Sequence, residues 1–384
     1  MDAARRALLP TEESQELLVL TAELAEKELA PRVSEYEAAG HFPREVFRTL
    51  GHAGLLGLPY PEQYGGGGQP YEVYLQVVEE LARHWLAVGV GVSVHTLSCH
   101  ALAHYGDQDQ KDRWLPEMIG GDLLGAYCLS EAAHGSDAAN LTTRAVAGPD
   151  GIYSLEGTKA WITHGGEADF YTVIARTGGP GAKGITAFLA DAATPGLSAA
   201  PPERKMGLRA STTAQVHFDG ALIPAERRIG AEGEGFAIAM DALDSGRLGI
   251  AACAVGLTRA ALEAATAYAR DRIQFGKPII EHDGVGFLLA DMATRVEVGR
   301  AAYLVAARLR DEGVPFRKQA AAAKLYCSDA AMQSTIDAVQ VLGGYGYTTD
   351  FPVERYMREA KMLQIVEGTN QIQRRVIARA LTRD

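Results

Sequence analysis

The chain is poor in the residues that mark small cross-linked, nucleic-acid-binding or membrane-embedded proteins. Cysteine is scarce: Cys99, Cys128, Cys253 and Cys327 are the only four in 384 residues, and none belongs to a CxxC or CxxH pattern. Thiols so far apart form neither a zinc knuckle nor a disulfide framework, so free thiols in a reducing compartment are expected. Positive charge is in deficit, with 37 Lys and Arg against 48 Asp and Glu, a net charge of −11. A surface of that sign repels phosphate backbones and anionic lipid, which argues against nucleic-acid binding. No run approaches the roughly 18 apolar residues of a membrane span. After Met1-Asp2-Ala3-Ala4-Arg5-Arg6, the stretch Leu8-Leu9-Pro10 is too short for a signal peptide. A cytoplasmic location is expected, and neither a periodic repeat nor a low-complexity tail is present.

What remains is an ordinary globular composition, 47% hydrophobic and 22% charged, at a length that suits two or three domains. Residues 1–120 read as helices broken by loops. Leu17, Leu20 and Leu24 repeat at helical spacing over Thr11 to Ala30 before Pro31, Tyr71 to Trp85 returns to that pattern, and Asp107 is placed as an N-cap for the segment through Trp114. Residues 121–230 change character. Gly125–Ser130, Ile152–Leu155, Phe170–Ile174 and Ile185–Leu189 are short β-favouring runs between turn residues, with Pro149-Asp150-Gly151 as one turn. Residues 231–384 are alanine-rich, and Leu248–Arg270, Phe287–Arg310 and Pro315–Leu342 predict long helices of an antiparallel bundle. The fold class expected is α+β multidomain: a helical domain, a central β domain and a helical bundle.

Several short motifs stand out, each with a bland reading beside the chemical one. Tyr127-Cys128-Leu129-Ser130-Glu131, followed by Gly135-Ser136-Asp137, is a strand end entering a loop of hydroxyls; it can serve a heterocycle or phosphate, or be a capped turn. Trp161-Ile162-Thr163 can wall a flat ring or fill a core. Arg272 with Gln274-Phe275-Gly276 offers a guanidinium for a pyrophosphate and an aromatic for an adenine, or cations complementing a helix C-terminus. Gln340 with Gly343-Gly344 is a glycine-rich helix exit. Glu367-Gly368-Thr369 sets a carboxylate among apolar neighbours before a helix start at Thr369, either a base or an acidic residue favoured by the helix dipole. His100 and His104, four apart on a helix, are half of a metal site without a third ligand, or plain exposed or core histidines.

In order and spacing these motifs, together with Pro61-Glu62-Gln63-Tyr64-Gly65-Gly66 and Leu289-Ala290-Asp291-Met292-Ala293, resemble the acyl-CoA dehydrogenase family over essentially the whole chain. The resemblance implies an N-terminal helical domain, a central β domain, a C-terminal four-helix bundle, non-covalent FAD and a homotetramer built as a dimer of dimers. It implies that the loop from Tyr127 through Leu129 and Ser130 to Ser136, and Trp161, Ile162 and Thr163, contact the flavin ring. Arg272, Gln274, Phe275 and His282, with Gln340, Gly343 and Gly344, would reach the FAD of a neighbouring subunit, while Thr369 and Gln371 hold FAD beside the catalytic loop. Asp244, Arg247, Ser136 and Gly368 look like contacts to the acyl-CoA.

Glu367 is by the same resemblance the base. It would take the pro-R α-proton of a thioester while the flavin takes the β-hydride, giving a trans-2-enoyl-CoA; the Glu367 backbone N–H and a ribityl hydroxyl would bind the thioester carbonyl. Where some members carry the base on a helix, this chain has Gly246. Leu86 to Ser98 lacks the arginine of glutaryl-type members, which disfavours a dicarboxyl-CoA. Val366, smaller than the Tyr often found before the catalytic Glu, points to short or branched acyl chains. Asp283 departs from the more usual Gln of the family. Electron-transferring flavoprotein is the implied electron acceptor. The alternatives are an oxygen-using oxidase of the same fold, acting on acyl-CoA or a nitroalkane, and a non-catalytic helical scaffold.

Overall fold

The computed structural model describes residues 8–382, so the reading of Met1 to Arg6 lies outside the described residues. Local chemistry sets the first helix ends. α1 (Glu12–Leu24) opens on Thr11, whose hydroxyl accepts from the Ser14 amide while Ser14 Oγ accepts from the Thr11 amide, pairing two donors that a helix start leaves open. A π-helical stretch, Ala25–Leu29, continues α1 toward Pro31. α2 (Val33–Ala39), α3 (Arg44–His52), α4 (Tyr71–His84), α5 (Leu86–Tyr105) and α6 (Gln108–Ile119) follow. Asp107 caps α6 in a reciprocal pair with Gln110, and the helix runs past Trp114 to Ile119.

The middle of the chain is a sheet. β1 (Gly125–Cys128), β2 (Arg144–Ala147), β3 (Ile152–Thr163), β4 (Phe170–Arg176), β5 (Ile185–Asp191), β6 (Leu197–Ala199), β7 (Thr213–Pro224) and β8 (Arg228–Ile229) pair in the order β6-β7-β3-β2-β4-β5-β8, with β1 parallel to β4. All four predicted strand runs form, and Pro149-Asp150-Gly151 turns β2 into β3. β7 was not foreseen. Its apolar alternation breaks at Asp219-Gly220, where the register with β3 shifts beside Leu155 and Glu156.

The remaining chain is helical: α7 (Gly235–Asp271), a hairpin of β9 (Ile273–Gln274) and β10 (Lys277–Pro278), α8 (Asp283–Asp311), α9 (Arg317–Leu342), α10 (Val353–Leu363) and α11 (Asn370–Leu381). α7, with 37 residues and a length of about 55 Å, is the wall shared by the whole molecule. α4 and α5 pack on it, as do α8 and α9. Small residues allow this: a Cβ at Gly249 would come within 2.1 Å of Ser93 Oγ on α5. One apolar core therefore runs from Leu18 through Val92 and Leu248 to Leu363, and the first turns of α7 join a second core with the sheet through Ile238, Ala239 and Ala242. The helical and β parts meet at the N-terminal turns of α7.

One expectation needs correcting. α5 and α7 are both long and apolar enough, by length and composition, to cross a membrane. Their apolarity has another cause here, because both are largely buried by neighbouring elements, and α5 is buried from Leu86 to Leu102 without a break.

Candidate active site

Between α10 and α11 the chain makes a tight turn. Thr369 caps α11 by accepting from the Ile372 amide at 3.3 Å. Ahead of it Glu367 has φ 51° and Gly368 φ 85°, and the left-handed region is costly for a glutamate. The brace comes from buried groups. Gln373 Nε2 donates to the carbonyls of Glu367 (3.1 Å) and Gly368 (2.8 Å). Lys324 Nζ, from α9, donates to Gly368 O (3.0 Å) and Asn370 Oδ1 (2.9 Å), and Asn370 Nδ2 donates on to Ser328 Oγ and Asp329 Oδ1.

The turn so held presents a carboxylate with no protein partner. Glu367 is half-buried as a residue, yet both its side-chain oxygens are shielded and neither has a hydrogen-bond partner. They lie over Gly246, where a Cβ would come within 2.1 Å of Oε2. Burial raises the Glu367 carboxyl to about 7, against the pull of the Arg247 and Lys324 cations. A buried polar group left unpaired costs stability and calls for an explanation; a carboxyl poised near neutrality with open lone pairs is suited to accept a proton from a bound molecule.

Asp244 and Arg247, one turn apart on α7, are buried and joined at 2.5 Å, and Arg317 reaches the second Asp244 oxygen at 2.5 Å. Burial pushes the Asp244 pKa up and that of Arg247 down. Arg247 Nε is buried without a partner, a donor open to a ligand. Beside Gly246 lies a tight cavity of about 10 Å³, lined by Tyr60, Tyr71, Ser93, Thr96, Leu97 and Arg310 among others. Leu86 to Ser98 supplies no arginine, as read, but α8 brings Arg310 to this cavity, where it stacks on Tyr71 at 3.9 Å and donates to Ser245 Oγ at 3.0 Å.

The β domain carries the loop and strand read as ring contacts. The fully buried Lys159 donates to Leu129 O (3.0 Å) and Glu131 Oε1 (3.1 Å), and the Ala160 amide to Ser130 O (2.9 Å), so the loop is held by its carbonyls. Tyr127 is buried with its hydroxyl unpartnered, Ser130 is half-buried and Ser136 exposed. β3 bulges after Lys159. There Trp161 takes φ 64° and is 61% exposed, beside buried Ile162 and half-buried Thr163. Trp161 is thus no core residue; an exposed indole on a strained bulge fits a flat ring laid against it.

A second cluster stands elsewhere on the surface. Arg272, Gln274, Gly343 and Gly344 line one open groove of about 510 Å³ with Tyr268 and Tyr345. Gln340, exposed on the preceding turn of α9, is not on its wall. The groove is edged by the β9–β10 hairpin, whose turn residues Phe275 (φ 52°) and Gly276 (φ 78°) both have positive φ, a type I′ geometry that favours Asn or Gly over Phe. Phe275 is 95% exposed. His282 Nε2 bonds Gln274 O at 3.1 Å. The residues read as ring contacts and those read as neighbour contacts therefore fall into two separate sets. Thr369 belongs to the Glu367 turn, and Gln371 is exposed one residue into α11.

His100 and His104 are otherwise engaged: His100 Nε2 bonds Asp241 Oδ2 at 2.8 Å, the two rings stand 4.3 Å apart, and burial lowers His104 to about 3. Sequence reasoning missed Lys324, Asn370 and Gln373. The one signal for the first was a lone cation inside an alanine run, Ala320 to Lys324.

Comparison with known proteins covers nearly the whole chain. Residues 11–122, 126–221 and 233–382 match the family models of the acyl-CoA dehydrogenase N-terminal, middle and C-terminal domains. An acyl-CoA dehydrogenase of Bacillus subtilis is 44% identical over 97% of this chain and 98% of its own. A short-chain-specific acyl-CoA dehydrogenase of Megasphaera elsdenii is 41% identical over 97% and 99%. Among solved structures, butyryl-CoA dehydrogenase from Megasphaera elsdenii matches with a TM-score of 0.95 at 40% identity over the full length of both chains. A chain from work on the electron transferring flavoprotein of Acidaminococcus fermentans matches at 0.96 and 43%, again full-length. The prolyl acyl carrier protein oxidase AnaB matches at 0.93 and 29%, over 97% of this chain and 100% of its own.

Proposed function

Because the chain belongs to the acyl-CoA dehydrogenase family, we propose that it converts a fatty or branched, short- or medium-chain acyl-CoA to the trans-2-enoyl-CoA with Glu367 as the base. The observation that carries this reading is the Glu367 carboxylate, shielded, without a protein partner and raised to about 7. A thioester α-proton is too weakly acidic for an ordinary carboxylate; burial strengthens the base, and donors aimed at the thioester carbonyl must hold the charge that develops. The Glu367 amide, fixed by the braced turn, is one such donor. Arg247, with its open Nε beside Asp244, and Ser136 are assigned to the acyl-CoA, together with Gly368. The small Val366 ahead of Glu367 supports the short or branched end of the range.

The family is flavin-dependent, and the residues here suit FAD. Tyr127, Leu129, Ser130, Trp161, Ile162, Thr163, Thr369 and Gln371 would hold the ring end; when bound, FAD supplies the acceptor for the β-hydride. Arg272, Gln274, Phe275, His282, Gln340, Gly343 and Gly344 would hold the FAD of a neighbour, which their separation from the first set supports, in a homotetramer. We assign domain boundaries near residues 120 and 230, electron-transferring flavoprotein as acceptor, and a soluble, cytoplasmic setting supported by the burial of α5 and α7.

Anaerobic titration tests this. The purified protein should show a flavin band near ~450 nm that butyryl-CoA bleaches more readily than octanoyl-CoA. A colourless protein would point to the scaffold reading, and a flavin oxidised by every ester would remove the dehydrogenase reading. Rapid oxygen uptake during turnover would favour an oxidase, the chemistry named for the AnaB relative.

A further inference from the structure

Lys324 stands two turns into α9 and is fully buried. Burying an ammonium costs several kcal/mol unless charge and hydrogen bonds offset it. Its two hydrogen-bond partners, Gly368 O at 3.0 Å and Asn370 Oδ1 at 2.9 Å, are both neutral. Glu367 is the strongest opposing charge that it feels, ahead of Asp329. The other cation facing Glu367, Arg247, is already joined to Asp244 at 2.5 Å. Tyr71 and Tyr74 on α4, Tyr127 on β1 and Cys253 on α7 also face the carboxylate, and burial holds all four protonated.

We propose that Lys324 is a positioning residue for the reaction: from beneath the catalytic turn its ammonium grips the Gly368 peptide and lends Glu367 the positive charge for which that carboxylate has no hydrogen-bonded substitute. The inference rests on Glu367 being the base. Lys324 exchanges no proton with the substrate. It has two effects, one mechanical, on the left-handed turn, and one electrostatic, opposing the burial that drives the carboxyl toward neutrality. Without the cation, Glu367 would be protonated over more of the neutral range and idle as a base.

Three variants of the flavin-loaded enzyme, Lys324→Met, Lys324→Gln and Lys324→Arg, separate these effects when flavin reduction by butyryl-CoA is followed from pH 5.5 to 9. With the charge gone, the acid limb of the reduction rate should move up by about one pH unit, since an opposite charge at close range is worth one to three units. On that limb the rate falls about tenfold, while KM stays within about twofold. Lys324→Arg should keep the limb near its wild-type pH. A neutral variant with an unmoved limb and a uniformly lower rate would leave Lys324 a purely structural residue and overturn the proposal.

If the neutral variants do not fold, Glu367→Gln carries the test through thermal melting. Removing the counter-charge lowers the folded-state pKa of Lys324, already down to about 8. The variant's melting temperature should then rise relative to wild type between pH 7 and 9. A flat difference over that range sinks the electrostatic role. Failure of Glu367→Gln to abolish flavin reduction would instead remove the base assignment itself, so the two failures are distinguishable.

Discussion

Glu131 and Glu367 are both glutamates in connecting segments outside the regular elements, and their surroundings are opposite. Glu131 is buried, and its oxygens accept from the Thr142 and Thr143 amides, from both threonine hydroxyls and from Lys159 at 3.1 Å. Burial pushes its carboxyl up, but the Lys159 charge, both threonine hydroxyls and the Thr143 amide outweigh this and bring it down to about 2. Glu367 also sits near a buried lysine, yet Lys324 donates to the turn's carbonyl rather than to the carboxylate. Its oxygens stay unpartnered, and burial alone dominates, giving about 7. The same side chain is a structural anion in one place and a poised base in the other. What differs is where the donors point, because a satisfied carboxylate has neither the lone pairs nor the basicity to take a proton.

The largest test of this contrast is on activity. Glu367→Gln should retain flavin and acyl-CoA binding but lose flavin reduction by about 100-fold or more, the usual worth of a positioned base. Stopped-flow reduction by butyryl-CoA at near wild-type rate would mean that Glu367 is not the base. At Glu131 the matching change is to stability. Lys159→Met removes the buried cation and leaves a buried charge short of its partner, which costs about 3–5 kcal/mol. Denaturant unfolding should show that loss; a variant as stable as wild type would mean that the threonines alone hold the anion.

The two glutamates should also drive stability in opposite directions with pH. Glu131, depressed to about 2, contributes stability that is full above its unfolded value near 4.5 and lost as pH falls through 2, about 3 kcal/mol in all. Glu367, raised to about 7, binds its proton more tightly when folded. Its ionisation therefore costs stability as pH rises from 4.5 to 7, and Glu367→Gln should be more stable than wild type above pH 7, by about 1–3 kcal/mol. Unfolding curves at pH 5 and 8 decide it: equal stability differences at both would show that Glu367 titrates normally.

How much of this was legible in the sequence follows from the range of the forces. Thr11, Asp107 and Thr369 act on amides within three residues; Asp107 and Thr369 were read as helix starts from sequence, and the structure adds Thr11. The Glu367 turn was visible as a carboxylate before a cap, and Trp161 and Phe275 as aromatics in unusual company, although only the structure shows the positive φ that makes both costly. The brace under Glu367 was not legible. Lys324 lies 44 residues from the carbonyl that it holds, and in an alanine-rich helix nothing local separates a buried lysine from an exposed one. The partners of Glu131 were equally hidden, since Lys159 reaches it across 28 residues from the next long strand. The apolarity of α5 was overlooked for another reason: a search for an unbroken apolar run passes over a helix whose average is apolar enough to span.

The smallest chemical change is the sharpest probe of the comparison, because it moves Glu131 one step toward the condition of Glu367. Thr143 is buried, and its hydroxyl donates to Glu131 Oε1 at 2.7 Å beside its own amide at 2.8 Å. Thr143→Val keeps the shape and the amide bond and deletes only the hydroxyl. With Lys159 still in place, the loss should be about 1.5–3 kcal/mol, the range for a hydrogen bond to a charged group, at or below the loss for Lys159→Met. The carboxyl should rise from its value near 2, so the acid unfolding limb should shift to higher pH. A loss larger than that of Lys159→Met would reverse the ranking and make the threonine pair, not the lysine, the reason that this glutamate is inert.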